Sequence, residues 1–176
     1  MSGFLASLAA ATTLTLASPG PASMAPGVSW DHPATGDRAR LLQPFTVDGL
    51  DVRVDSLKPV DAFADGTAPD DGTRVLQVEF WARNPGQSDI DFFDRFYAFA
   101  VMSDGSDTDG EGLSFYPLDS GKEFGDVTLK PGQTQHARFD LEVPANVSVA
   151  KLVVFGPVDG AKVTIPLPPP NSDQHR

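Results

Sequence analysis

The stretch Leu129-Lys-Pro-Gly-Gln-Thr-Gln-His-Ala-Arg-Phe-Asp-Leu-Glu-Val-Pro144 decides the fold class. Lys130-Pro131-Gly132-Gln133 reads as a turn, because proline presets φ to about −65° at its second position and glycine accepts a positive φ at its third. From there the chain alternates. Ala137, Phe139, Leu141 and Val143 point one way; His136, Arg138, Asp140 and Glu142 point the other. Such alternation makes an antiparallel strand with one dry face and one wet face. Pro144 ends it, since proline has no N–H to give a ladder.

Working outward, similar runs recur at short intervals. The first covers residues 50–57, with Leu50, Val52 and Val54 opposite Asp51, Arg53 and Asp55. The second, residues 73–83, places Leu76, Val78, Phe80 and Ala82 on one face. The third, residues 90–102, carries Phe, Tyr and Val on both faces, which predicts a central strand. Shorter runs follow at 113–116 and 124–129. Two more, at 150–155 and 162–167, come after the opening stretch. Each run is bounded by Gly, Pro, Asp or Ser, and no window holds a helical stripe. The pattern predicts an all-β chain: an immunoglobulin-like antiparallel β-sandwich of seven to eight strands, with a closed barrel as the second architecture.

Composition agrees with that class. The formal net charge of −11 arises from 20 Asp and 4 Glu against 13 Lys and Arg. Aspartate favours turns and glutamate favours helices, so the acid belongs mostly to connections. The Lys and Arg clusters that neutralise phosphates are absent, which argues against nucleic acid, and an anionic membrane surface would repel the chain. Cations and basic partners are favoured. With no cysteine, disulfides, thiolate metal sites, thiol nucleophiles and lipid attachment through cysteine are all excluded.

Residues 1–26 read as an export signal. Phe4 to Ala17 is a 14-residue apolar run, followed by small residues that offer cleavage after Ala17, Ala22 or Ala25. No Lys or Arg precedes Arg38, and a start codon upstream of Met1 would supply the missing positive region. The run is too short and too rich in threonine for a stable membrane span. Residues 27–43 read as a lead-in linker, 44–168 as the sandwich, and the proline-rich 169–176 as a disordered tail.

Loop acids are the main candidate for chemistry. Asp61, Asp65, Asp70 and Asp71 lie in the first long connection, and Asp104, Asp107, Asp109 and Glu111 in the third. In an antiparallel sandwich these two connections share a pole. Clustered carboxylates repel unless a cation sits among them, so Asp104, Asp107, Asp109, Glu111, Asp70 and Asp71 are candidate calcium ligands. The competing reading is a set of solvated turn residues. Asp107-Thr-Asp-Gly110 copies part of an EF-hand loop, but Gly105 and Tyr116 stand where its first and last ligands belong.

No catalytic constellation is present. There is no Gly-x-Ser-x-Gly elbow, no phosphate loop and no pair of histidines at metal spacing. His136 with Arg138 and Asp140 reads as a polar stripe. Trp81 has the parity of Val75 and Glu79, opposite the core set, and is the best candidate for an exposed partner contact. A ligand groove lined by Phe92, Phe96 and Trp81 is a further expectation; burial of both Phe rings is the alternative.

The order of signals resembles a known group. Thr73-Arg-Val-Leu-Gln-Val-Glu-Phe-Trp-Ala-Arg-Asn-Pro85, the aromatic strand ending in Ser103-Asp-Gly105, Leu129-Lys-Pro-Gly132 and Phe139-Asp-Leu-Glu-Val-Pro144 resemble the exported bacterial immunoglobulin-like domains of unknown function that include the mycobacterial immunoprotective extracellular antigen. The resemblance spans about residues 44–168. It implies a secreted or cell-envelope, non-enzymatic interaction module with an unknown protein or envelope partner, and it transfers no catalytic residue or cofactor. Asn84-Pro85 is also similar to the water-stress and hypersensitivity domain of late-embryogenesis-abundant proteins, with Gly86 in place of the usual second Asn. The alternatives are thus a calcium-stabilised module or a stress-protective domain.

Overall fold

A computed structural model describes residues 29–30, 33–92, 95–108, 114–118 and 127–168. The proposed signal, the tail beyond Pro168, Asp109 and Glu111 lie outside the described residues. The strands are β1 (Phe45–Val47), β2 (Leu50–Val60), β3 (Thr73–Arg83), β4 (Ile90–Asp91), β5 (Tyr97–Met102), β6 (Phe115–Pro117), β7 (Thr128–Leu129), β8 (Thr134–Pro144), β9 (Val149–Phe155) and β10 (Lys162–Pro166). One sheet has the order β1-β2-β3-β8-β6, the other β10-β9-β5, and β4-β7 forms a separate ribbon. All these pairings are antiparallel. Strands β2-β3-β8-β6 facing β5-β9-β10 reproduce the A-B-E-D and C-F-G layers of a constant-type immunoglobulin sandwich.

The alternation read from β8 holds along its length. Ala137, Phe139, Leu141 and Val143 are at most 2% exposed, while His136, Arg138, Asp140 and Glu142 are only partly covered. Gly132 takes φ 74° and the Gln133 N–H donates to the Lys130 carbonyl at 2.9 Å, closing the expected turn. The dry faces of both sheets meet in one core. Its centre is the Phe80 ring, 5.0 Å from Phe96 and 5.6 Å from Phe139, with Phe92 and Phe115 each at 5.9 Å. Each fully buried ring contributes about 1.5–3 kcal/mol.

Two polar clamps fix the loops around this core. Asn84 is fully buried. Its Nδ2 donates to the carbonyls of Ser88 (2.8 Å) and Leu129 (2.7 Å), and its Oδ1 accepts from the Gly86 N–H at 2.9 Å. Asn84 therefore ties the chain after β3 to β7. The second clamp joins the two layers. Asp48 and Gly49 form a two-residue hairpin with φ of 46° and 79°, the positive pair that a type I′ turn needs. The Asp48 carboxylate, 3% exposed at the residue level, accepts from the Val158 N–H (2.8 Å) and the Asp159 N–H (2.7 Å). Burial pushes its pKa up, but bonds from Asp159 and Val158 together outweigh that and hold it below the ordinary carboxylate value.

The sequence expectations need four adjustments. The predicted third strand is two, β4 and β5, and β5 is the edge of the smaller sheet rather than central. Its two-sided apolarity arises because Phe92 and Phe96 enter the core, while Tyr97 and Phe99 on the other face pack against Phe155. The short β1 brings the strand total among described residues to ten. The lead-in is bound to the sandwich by bridges from Ala34 to Phe45 and from Arg38 to Thr164, and Ala39 is 3% exposed. Finally, alternation in β2 breaks at a bulge between Val54 and Ser56, which exchanges the parity so that Leu57 rather than Ser56 opposes Val78.

Candidate functional site

The larger sheet turns one face to the core and the other outward. The outward face carries the polar stripe of β8 beside matching residues of β2, β3 and β6. Cross-strand register sets Arg53, Trp81 and His136 in one row, and Glu79, Arg138 and Tyr116 in the next. The β2 bulge places Asp55 where it can serve two neighbours. Arg53 donates to it from Nε (2.6 Å) and Nη2 (2.8 Å), and Trp81 Nε1 donates at 3.2 Å. The Trp81 and His136 rings stack 4.0 Å apart and 4° from parallel. Trp81 is thus a half-buried plate held on two sides, where the sequence suggested a free contact residue. In the next row Lys58 Nζ donates to Glu79 at 2.7 Å, and this bond holds the Glu79 pKa below its ordinary value. The Arg138 guanidinium lies 5.9 Å above the Tyr116 ring.

One end of the face is roofed. The β2–β3 connection turns back over β8: the Ala64 N–H donates to Asp140 Oδ2 at 2.7 Å, and the Asp70 N–H donates to Glu142 at 2.9 Å. Thr73 Oγ1 also donates to Glu142. Val75 and Gln77, of the same parity as Trp81, are consequently 0% and 5% exposed. Beneath the edge of this roof is a cleft of about 240 Å³ lined by Phe63, Asp65, Thr67, Ser114, Tyr116 and Asp140. Asp140 Oδ1 is buried without a hydrogen-bond partner. Burial pushes the Asp140 pKa up, opposed by the Ala64 N–H, the Arg138 charge and the Gln77 side chain and reinforced by Asp65.

Of the acids proposed as calcium ligands, Asp104 has a side-chain partner within its own loop. The two acidic connections do share a pole: the Ala145 N–H donates to Gly72 O, and the Ser103 N–H donates to Ser148 O. Asp104 Oδ1 accepts from the N–H (3.0 Å) and Oγ (2.6 Å) of Ser106, which lowers its pKa and shapes its own loop. Asp70 and Asp71 are exposed, and Asp107 bridges to Val101. Among the described residues no three acid or imidazole side chains gather as a metal site. The groove expected from Phe92, Phe96 and Trp81 does not form, because the two Phe rings are in the core and Trp81 is on the opposite side of the sheet. The juxtaposition of Asp65 with Asp140 was not legible in the sequence. Asp65-Gly66-Thr67 signals a turn, but nothing marks where that turn lands.

No known family model matches the chain, and no curated protein does. Among solved structures it is similar to an uncharacterized β-sandwich protein from Clostridium difficile, with a TM-score of 0.56, 10% identity, and coverage of 80% of this chain and 99% of that one. It is also similar to MPT63, a secreted protein from Mycobacterium tuberculosis, with a TM-score of 0.49, 13% identity, and coverage of 78% and 99%. At 10% identity the likeness to the Clostridium difficile protein is one of fold, and it agrees with the antiparallel sandwich described above.

Proposed function

We propose that this chain is an exported or envelope-associated, non-enzymatic immunoglobulin-like module that contacts a protein or envelope partner through the outward face of its larger sheet. The observation that carries this reading is the Trp81 plate, stacked on His136 and anchored to Asp55 before any partner arrives. A preorganised aromatic loses little freedom on binding, and tryptophan is enriched where binding energy concentrates. The apolar run near the N-terminus supports export. Among the described residues no helix is long and apolar enough to cross a membrane. The net charge of −11 favours a basic partner.

The test is affinity capture from a cell-envelope fraction by the chain lacking residues 1–26, compared with Trp81→Ala. Loss of a side chain at the centre of an interface costs about 2 kcal/mol or more, roughly 30-fold in affinity. The reading expects a captured species that Trp81→Ala loses. Equal capture by both proteins contradicts it.

A further inference from the structure

We propose that one end of the sandwich, where the two layers part, binds a single-chain apolar carboxylate of the fatty-acid class. A groove of about 340 Å³ lies there. The β2 bulge sets Leu57 and Pro59 opposite Val78 and Leu76, and Leu57, Pro59 and Leu76 line the groove from the larger sheet. Val149 and Leu167 line it from the smaller sheet, and Leu41 of the lead-in joins them. Leu41, Leu57, Val149 and Leu167 pack on the core while staying partly exposed, so the groove is where the core reaches the surface.

One residue breaks the apolar lining. Arg74 has the parity of Leu76, Val78 and Phe80, so its strand aims it between the layers rather than outward. A guanidinium stays charged and offers five N–H donors. Among the described residues its only bond runs from Nη2 to the Val147 carbonyl at 3.3 Å, and Nε is buried with no acceptor. No carboxylate among the described residues answers it. The ion pairs there are Arg53–Asp55, Lys58–Glu79 and Arg83–Asp51. Glu142, beside the cross-strand partner Val143, accepts from Thr73 and the Asp70 N–H on the outward face. Asp70, Asp71 and Asp104, at the same pole, are exposed and do not line the groove. Ser148 does line it and adds a hydroxyl. Apolar walls with one or two placed polar groups are the usual form of a small-molecule site, and a volume near the lower limit of about 300 Å³ suits one hydrocarbon chain better than a two-chain lipid. A carboxylate meets a guanidinium with two parallel bonds. The net charge of −11 repels anions from afar, but salt screens that beyond about 8–10 Å, whereas Arg74 acts at contact.

The test is a two-dimensional amide NMR titration of the chain with sodium decanoate, below its micelle-forming concentration and at physiological salt. Decanol, decyltrimethylammonium and acetate serve as parallel titrants. Saturable shifts centred on Leu57, Arg74, Ser148, Val149 and Leu167 are expected with decanoate, and binding at least about tenfold weaker with each of the other three. Arg74→Met keeps an apolar stem and removes the charge. It should weaken decanoate at least about tenfold and bring it level with decanol. Lys130→Gln, which removes an exposed charge at the turn before β8, should leave decanoate binding unchanged. If Arg74→Met fails to fold, the contrast between decanoate and decanol on the unaltered chain carries the test. Equal affinity for decanoate and decanol, tighter binding of the ammonium, no saturation, or equal losses for the Arg74 and Lys130 variants would each overturn the proposal. Two other occupants are also distinguished. Uptake only after removal of residues 169–176, which continue from the groove-lining Pro168, assigns the groove to the chain's own tail. Affinity that falls as protein concentration rises assigns it to a second copy. Either result overturns the proposal. The groove lies between the layers and not on the Trp81 face, so envelope capture and decanoate binding stand or fall separately.

Discussion

Replacing Asp48 by asparagine tests how the two layers are joined. Asparagine tolerates positive φ, so the type I′ turn at 46° survives, and the side chain keeps its shape. What goes is the charge, together with one of two acceptors. The Val158 and Asp159 N–H groups then share a single amide oxygen, or one faces an amide NH₂. Hydrogen bonds to a charged group contribute about 1.5–3 kcal/mol each, but Val158 and Asp159 are exposed and water can replace part of the loss. The expected cost is therefore about 2 kcal/mol, or roughly 6–12 °C in Tm for a domain of this size. Urea unfolding followed by circular dichroism should show a lower midpoint with an unchanged slope. The pH dependence has a definite sign. The folded Asp48 pKa is depressed, so its stabilisation is full above the unfolded carboxylate value of about 3.9 and disappears as pH falls through the lower folded value. Wild type and Asp48→Asn should thus converge in acid. Gly156→Ala attacks the same clamp from the other side, since its Cβ would sit 2.2 Å from the Asp48 carboxyl carbon. A difference below about 0.5 kcal/mol at neutral pH, or a gap that persists unchanged in strong acid, refutes this account of the clamp.

Three further outcomes are expected. Asn84→Ala strands two carbonyls and one N–H, and should lower stability by about 2–4 kcal/mol in the same urea assay. Phe80→Ala removes the ring at the centre of the aromatic cluster and should cost about 3–5 kcal/mol, measured by thermal unfolding. Asp140→Asn should be no less stable than wild type at pH 7. Because burial raises the folded Asp140 pKa, charging this group destabilises the native state as pH rises from the unfolded value towards the folded one, and the amide avoids that cost. Paired melting curves at pH 3 and pH 7 check this, and a variant that is clearly weaker only at pH 7 would contradict it.

Much of the architecture was legible because solvent faces one side of each long strand. Along β8 and most of β3 the alternation of side chains is the fold, and the Pro-Gly turn fixes where β8 begins. Legibility failed where other physics intervened. A single extra residue in β2 exchanges the parity after Val54, and no composition signal marks it. The run from Ile90 to Met102 looked like one buried strand because its rings are apolar on both sides. Phe92 and Phe96 instead cross between layers, and only Tyr97 onward pairs with β9. Asn84-Pro85 was readable as a motif, but its three clamp bonds depend on where β7 passes. The candidate site was half legible. Trp81, His136, Arg138 and Asp140 could be assigned to the wet face by parity. The roof that partly covers Asp140, and the meeting of Asp140 with Asp65 at one cleft, arise from a loop folding back across the sheet. That placement is set by tertiary contacts rather than by local pattern.

The absence of cysteine offers the most direct test of the alternation on which both the fold and the site depend. Single cysteines placed along β8, at Ala137 and Val143 on one parity and at Arg138 and Glu142 on the other, can be timed with a maleimide under native conditions. The account predicts prompt labelling at 138 and 142, and labelling at 137 and 143 only after denaturant is added. Equal rates at all four positions, or faster labelling at 137 and 143, would contradict it.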